Sequence, residues 1–470
     1  MNKSEFGVIG LGVMGKSLSL NIAESGFNLS VYNRSDGAEA NIVSDFIAEN
    51  SGFKNILGFK DIQEFVNSIE KPRKILMMIK AGTVVDAVIN QLTQFLDPDD
   101  VLVDGGNSYF LDTKRRYESL KTKRIHFIGC GISGGEEGAR KGPSLMPGGN
   151  INSYKLVGSI LEKISAKDVN NNPCCAYIAN DGAGHFVKMI HNGIEYAEMQ
   201  LLAELYALLS LTMPNEAISE LFSKWNNTDL SSYLLEISAK ILTKKKNGIY
   251  IIDTILDKAG NKGTGSWSSK LALEIGVPTT MMTSAVFARY LSSFKTKREH
   301  LSKLVATKNS NPNIPNIQIL EDAYRFARII NHYQGFEIII ETSKENNWDI
   351  NLSELARIWT NGCIIRSELM RNISELFKSK NDLFDHNYIV NTLKTSEFSI
   401  SELIKSAITN RVPLDTYWSA YNYWISMTSK RLPANLIQAQ RDFFGAHTYQ
   451  KLNDASGKFY HTNWAKSKNS

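Results

Sequence analysis

Cysteine is scarce in this 470-residue chain, which has only Cys130, Cys174, Cys175 and Cys363. None of the four has metal-ligand spacing, and adjacent Cys174 and Cys175 are poor disulfide partners. A zinc site and a disulfide-stapled fold are therefore not expected, and reduced thiols in the cytoplasm are the simplest reading. Charge of one sign is also lacking: 53 basic residues face 48 acidic ones, for a net charge of +5. A nucleic-acid binder usually concentrates its positive charge, whereas Lys and Arg are scattered here apart from Lys244-Lys245-Lys246, which reads as a loop run. No apolar run approaches the roughly 20 residues that span a bilayer. A strand-like run begins at Phe6, which leaves no room for a signal peptide. No carboxylate cluster suggests a metal site. What remains is a chain with 43% hydrophobic residues, enough for large cores and two or more domains.

Short apolar runs fill the first third: Phe6–Ile9, Leu29–Tyr32, Lys74–Ile79, Val101–Val103 and Ile125–Ile128, with helical patterns between them such as 84–95. Buried strands alternating with helices predict an α/β, mostly parallel, doubly wound sheet. From about residue 180 the periodicity becomes helical, so the second region is expected to be all-α. It contains an internal duplication. Ser219-Glu220-Leu221 with Trp225 returns as Ser353-Glu354-Leu355 with Trp359 at a constant offset of 134 residues, and a long helical stretch precedes each copy, near 184–209 and 320–345. From Leu432 onward the chain is polar and aromatic and reads as a tail.

Gly10-Leu11-Gly12-Val13-Met14-Gly15 follows the first strand and opens a helix. The first glycine permits a tight turn, the second lets backbone approach a pyrophosphate, and the third allows close helix–strand packing. Asn33-Arg34-Ser35 ends the second strand, where an NAD site usually places an acid. Arg34 can pair with a 2′-phosphate, and Asn33 and Ser35 can donate to it, so NADP is favoured over NAD. Ile79-Lys80-Ala81 and Asn107 stand at or after strand C-termini, where ligands bind in open α/β sheets.

The stretch Gly184–Tyr196, placed on a helix, puts Lys188, His191, Asn192, Glu195 and Tyr196 on one face and Met189, Ile190, Gly193 and Ile194 on the other. Lys188 and Glu195 then lie roughly 10 Å apart along the axis, a suitable span for a small substrate. The plain alternative is an amphipathic helix with a solvated polar face.

Together these strings resemble the 6-phosphogluconate dehydrogenase family of the pentose phosphate pathway, over nearly the whole chain. The likeness takes in Gly10–Gly15, Asn33-Arg34, Asp104–Ser108, Gly131–Arg140, Gly142–Gly149, Gly184–Tyr196, Lys262–Gly265, Phe287–Arg289 and Gln438–His447. Small departures are Ser35, where the family often has Thr, and Ser266, where a Lys is common. The resemblance implies a Rossmann-type NADP-binding domain at 1–180, an all-α substrate and dimerisation domain at 181–431, and a tail at 432–470 that reaches the partner subunit of a cytoplasmic homodimer. It implies NADP-dependent oxidative decarboxylation of 6-phospho-D-gluconate to D-ribulose 5-phosphate and CO2, without a metal. Lys188 would be general base and then acid, and Glu195 general acid. Gly10–Gly15, including Leu11, Gly12, Val13 and Met14, would hold the cofactor with Asn33, Arg34, Ser35, Ile79, Lys80, Ala81 and Asn107. Asn107, Ser133, Gly134, Gly135, His191 and Asn192 would bind substrate. Tyr196, Lys262 and Arg289 would grip its phosphate, with Arg441 and His447 donated in trans. Two other readings are weaker. A shorter-chain β-hydroxyacid dehydrogenase would not need Lys262, Arg289 and Arg441, and a non-enzymatic structural or RNA-binding derivative is suggested only by the basic pI.

Overall fold

Strands that are apolar on both faces demand helices above and below them, and chain order supplies these in alternation. The computed structural model describes residues 3–260, 263–305 and 312–464. Its first part runs β1 (Phe6–Ile9), α1 (Val13–Glu24), β2 (Leu29–Tyr32), α2 (Ile42–Glu49), β3 (Ile56–Phe59), α3 (Ile62–Asn67), β4 (Lys74–Met77), α4 (Thr83–Leu92), β5 (Val101–Asp104), α5 (Phe110–Lys121), β6 (His126–Ser133), α6 (Gly135–Lys141), β7 (Ser144–Gly149) and α7 (Ile151–Ile164). The sheet order is β3-β2-β1-β4-β5-β6-β7, parallel except for β7, which runs antiparallel to β6. Neighbouring residues of one strand enter different cores. Val8 and Leu76 pack on one face of the sheet, while Ile9, Ile75 and Met77 pack on the other.

Two strands lie outside the apolar runs singled out above. β3 (Ile-Leu-Gly-Phe) is a short edge strand, and β7 (Ser-Leu-Met-Pro-Gly-Gly) carries a proline and two glycines. Proline removes a ladder donor and glycine weakens a strand, so β7 reads locally as turn, while β3 is a short run broken by Gly58. Tertiary packing overrides that preference: β7 is held by six residue pairs to β6 and is wholly buried.

The helical region opens with α8 (Ala183–Leu209), α9 (Asn215–Trp225) and α10 (Tyr233–Thr243). A two-stranded ribbon, β8 (Lys245–Lys246) and β9 (Ile249–Tyr250), follows. Among the described residues the region is thus helical apart from this small hairpin, and Lys245 and Lys246 of the lysine run belong to the hairpin rather than to a loop. Asn247-Gly248 turns it with both φ angles positive (53° and 81°), the conformation such a tight hairpin needs. Next come α11 (Thr264–Ile275), α12 (Thr280–Ser293), α13 (Lys295–Leu304), α14 (Ile317–Glu345), α15 (Leu352–Ile358), α16 (Glu368–Leu376), α17 (Asn387–Asn410), α18 (Asp415–Met427) and α19 (Ala434–Gly445).

The duplication is visible bond by bond. Long helices α8 and α14 are each followed by two short ones. Ser219 Oγ donates to Ala239 O at 2.8 Å, and Ser353 Oγ donates to Ser374 O at 2.8 Å. Trp225 and Trp359 are both fully buried. The two copies meet at their helix caps, where Tyr233 N donates to Arg366 O and Glu368 N donates reciprocally to Ser231 O. Ser232 and Ser367 cap α10 and α16 from opposite sides of this bridge.

Residues 1–420 form one compact unit and residues 421–470 a second. Within the second, Asp442 is buried and accepts from Thr448 N, His461 Nδ1, Thr462 N and Trp464 Nε1 at 2.8–3.0 Å. That single carboxylate ties the segment after α19 back to the helix. Among the described residues, no helix is long and apolar enough to cross a membrane, and no cluster of His, Cys, Asp or Glu could hold a metal ion.

Candidate functional site

Helix α8 lies against the sheet edge with backbone nearly touching backbone. A Cβ on Gly184 would fall 2.2 Å from Gly129 O and 2.3 Å from Met146 O, and one on Gly131 would fall 2.5 Å from Lys188 Cβ. Only glycines permit this approach, and it carries the polar face of α8 into the protein. Lys188, His191, Asn192 and Tyr196 are all buried, with Glu195 partly so. A solvated polar face is therefore excluded.

Around Lys188 the groups form a chain. Lys188 Nζ is 3.3 Å from His191 Nδ1, and His191 Nε2 is 3.1 Å from Ser133 Oγ. Asn192 Oδ1 and Glu195 Oε2 also approach His191 Nδ1, at 3.2 and 3.8 Å. Burial pushes the Lys188 pKa down from 10.5 to about 8, although the Glu195 carboxylate pulls the other way. Burial likewise holds His191 well below its usual pKa, with the Lys188 ammonium adding to the effect, so the ring is neutral at pH 7. Nδ1 faces both Lys188 Nζ, which can donate to it, and Asn192 Oδ1, which can only accept, so the ring's tautomer is tied to the protonation of Lys188. The site thus holds an amine that can gain or lose a proton near neutrality, fixed by a ring that does not titrate there.

Further along α8, Tyr196 lies under Arg289 of α12, whose guanidinium carbon is 3.5 Å from the ring centroid. Arg289 also donates to Gly260 O at 3.1 Å, and Gly265 abuts the same tyrosine so closely that a Cβ would come within 2.6 Å. This cationic corner is about 12 Å along the helix from Lys188. Lys262 lies outside the described residues. Arg441 and His447 belong to the unit 421–470, where Arg441 donates to Gln438 Oε1 at 3.1 Å and His447 packs edge-on against Phe444. Gly134 and Gly135 adopt positive φ (125° and 62°) at the start of α6, directly after Ser133.

The glycine loop occupies the switch point of the sheet, between β1 and β4. Gly10 (φ 95°) turns against Met78 O, only 2.4 Å from its would-be Cβ, and Gly15 packs on Gly10 O. At Gly12 a Cβ would meet nothing within 4 Å. Two glycines are thus closed against protein and the middle one faces open space, which fits a dinucleotide pyrophosphate. Gly12→Ala, at an ordinary φ of −70°, is expected to leave the thermal midpoint unchanged and to weaken dinucleotide binding at least about tenfold, as a methyl enters that space. Calorimetric titration beside a melting curve checks both. Ile79 lies between this loop and the next one: its side chain touches Gly10, and its carbonyl lies 3.0 Å from a Cβ placed on Gly106. Lys80 and Asn107 are exposed, and Ala81 is half-buried. Asn33 is turned inward: its carbonyl accepts from Leu11 N at 2.9 Å, and its amide donates to Arg34 O and Glu39. It therefore shapes the glycine loop from behind instead of offering its amide outward. Arg34 and Ser35 are exposed, and Arg34 is paired to Glu39.

Several neighbours carry no sequence signal. Ile364 N donates to Ser133 Oγ at 3.4 Å, and Cys363, buried with its thiol raised to about 12 by burial, interacts with Lys188. Both follow α15 in the second copy of the duplication, more than 160 residues from Lys188. Their proximity comes only from packing. His185, one turn before Lys188, shares a 2.7 Å hydrogen bond with Thr113 of α5 and so ties α8 to the sheet-bearing half.

Two family profiles divide the chain between them. "NAD binding domain of 6-phosphogluconate dehydrogenase" matches residues 5–179, and "6-phosphogluconate dehydrogenase, C-terminal domain" matches 184–464. The chain is 47% identical over 477 residues to the NADP(+)-dependent, decarboxylating 6-phosphogluconate dehydrogenase of Bacillus subtilis, covering 99% of this chain and 100% of the relative. It is 44% identical to the decarboxylating 6-phosphogluconate dehydrogenase of Escherichia coli, with the same coverage. Among solved structures, the 6-phosphogluconate dehydrogenase of Plasmodium falciparum, described in complex with its cofactor NADP+ and with its substrate 6-phosphogluconate, superposes with a TM-score of 0.93. That pair shares 39% identity over 98% of this chain and 100% of the other.

Proposed function

The chain belongs to the 6-phosphogluconate dehydrogenase family, and on that premise we propose that it converts 6-phospho-D-gluconate to D-ribulose 5-phosphate and CO2 while reducing NADP. The observation that carries the reading is Lys188, buried, with its pKa at about 8, and on the same helix face as Glu195. NADP, when bound in the glycine loop, supplies the acceptor for the hydrogen leaving C3. Lys188 in its amine form takes the C3 hydroxyl proton, which leaves a 3-keto acid. The C1–C2 bond then breaks, its electron pair passes into the C2–C3 enediol, and Lys188 returns its proton to the C3 oxygen as CO2 departs. Glu195 in its acid form protonates the former C2, and Lys188 takes back the enol proton, completing the ketone. The keto group is the electron sink, so the chemistry demands no metal.

Neutral His191 holds Lys188 and Ser133 in register. Ser133, Gly134 and Gly135, with Asn107 and Asn192, offer donors to the sugar acid. Tyr196, Lys262 and Arg289 receive the phosphate end. Gly10–Gly15, Ile79-Lys80-Ala81 and Asn107 bind the dinucleotide, Arg34 and Ser35 take its 2′-phosphate, and Asn33 supports the loop. We assign 1–180 to the nucleotide-binding domain, 181–431 to the substrate and dimerisation domain, and 432–470 to a tail that lends Arg441 and His447 to the partner of a cytoplasmic homodimer. Exposed Leu436, Ile437, Phe443 and Phe444 of α19 support this last point, as an apolar set of the kind that a partner surface covers. The four buried free thiols fit a reducing compartment.

Following NADPH absorbance and CO2 release with purified protein, 6-phosphogluconate and NADP tests the reading, with NAD and unphosphorylated gluconate as controls. NADPH formed without CO2 would refute it in favour of a simple β-hydroxyacid dehydrogenase. Truncation before Leu432 is expected to lower kcat/KM at least about 100-fold, through loss of buried charge contacts to the phosphate, and to disperse the dimer in sedimentation. An active monomer would overturn the shared site.

A further inference from the structure

The end of β2 contains an anion where a phosphate is to bind. After Arg34 the chain turns through 37–39, and Glu39 folds back so that both carboxylate oxygens are engaged. Oε1 accepts from Arg34 Nη2 at 2.6 Å and Oε2 from Asn33 Nδ2 at 2.8 Å. Arg34, then Asn33, holds the Glu39 carboxyl below the usual carboxylate range, so it is charged at neutral pH. The Arg34 side chain is 68% exposed and Glu39 32% exposed, so both can be reached by an incoming nucleotide. A 2′-phosphate that pairs with Arg34 must either displace this carboxylate or lie beside it, and both outcomes oppose binding. A ribose carrying a free 2′-hydroxyl meets no such conflict.

We infer that Glu39 is a positioning residue for Arg34 that sets cofactor selectivity: it competes with the 2′-phosphate, so NADP has to break an internal ion pair that NAD leaves intact. The inference rests on the reading of Arg34 as the 2′-phosphate partner. Its consequence is a narrower preference for NADP over NAD than Arg34 alone would produce, adjustable at one side chain that touches no reacting atom.

The test is binding without substrate, measured by calorimetric titration of the full-length protein with NADP+, NAD+ and 2′-AMP. Glu39→Gln keeps an acceptor for Asn33 and removes the charge. It is expected to tighten NADP+ and 2′-AMP about three- to fivefold and to leave NAD+ within about 1.5-fold, in line with the strength of exposed ion pairs. Glu39→Ala is expected to repeat the shift, and melting curves confirm that both variants fold. A merely structural role would move NADP+ and NAD+ together. NADP+ binding that is unchanged or weaker in both variants overturns the inference. If Arg34→Ala meanwhile abolishes the NADP preference, the 2′-phosphate reading survives that result. If Arg34→Ala leaves the preference intact, the reading itself fails and the inference with it.

Discussion

Lys188→Met is expected to lower kcat at least about 1,000-fold, since general acid–base groups contribute about 10²–10⁴ and this one serves in every proton transfer at the C3 oxygen. NADP binding should persist, because the glycine loop does not involve Lys188. The same variant should be more stable than the wild type, by about 1–3 kcal/mol at pH 7, because a buried ammonium is replaced by an apolar chain of similar length. The sign follows from the lysine pKa, about 8 in the folded protein and near 10.4 when unfolded. Below pH 8 both states carry the proton and the cost of burying the charge is fully present. Between about pH 8 and 10 the unfolded state holds more protons, so wild-type stability climbs with pH and the advantage of the variant shrinks. Wild-type kcat/KM should rise through an apparent pKa of about 8, because the amine must be free to accept the C3 proton. Urea unfolding at pH 7 and pH 10, with stopped-flow turnover, measures all three. Substantial residual oxidation, or a loss of stability in the variant, would show that Lys188 is not a strained buried base.

Gly184→Ala should be the most disruptive methyl in this part of the protein. The added carbon would stand 2.2, 2.3 and 2.6 Å from Gly129 O, Met146 O and Gly148 N, all backbone atoms that cannot rotate aside. Overpacking of this kind typically costs about 1–3 kcal/mol and more where nothing yields, so about 3 kcal/mol or more is expected here. Activity should fall with it, because moving the start of α8 off β6 and β7 carries Lys188, one turn on, away from Ser133. Thermal unfolding and soluble yield report the first effect, and kcat of the remaining folded fraction reports the second. A variant with an unchanged midpoint would show that α8 can slide, and that its contact with the sheet does not position the site.

Much of this was legible locally. Continuous apolar runs of three to six residues indicate strands covered on both faces, and GxGxxG after the first run lies at the switch point, where the dinucleotide is proposed to bind. The face of α8 follows from helical geometry, and Trp225 with Trp359 marks the repeat. Other parts were not legible. β7 looks like a turn because Gly and Pro dominate its local preference, and in β3 Gly58 interrupts an apolar run only four residues long. The hairpin at Asn247-Gly248 was hidden by its lysines. Cys363 and Ile364 reach the site only because the second copy of the duplication folds onto the end of β6. Asn33 looked like a phosphate donor, yet its amide and carbonyl are spent on Arg34 O, Glu39 and Leu11 N.

The residue types on one helix face, the glycine spacing and the charge at the end of β2 are properties of neighbours in the chain, so sequence alone determined the chemistry available and the class of ligand. Whether that chemistry is usable depended on dielectric environment and distance, which are properties of neighbours in space. Only the packing of α8 against Gly129, Gly131 and Gly148 buries Lys188 deeply enough to bring its amine near neutrality, and only the turn after β2 sets Glu39 against Arg34.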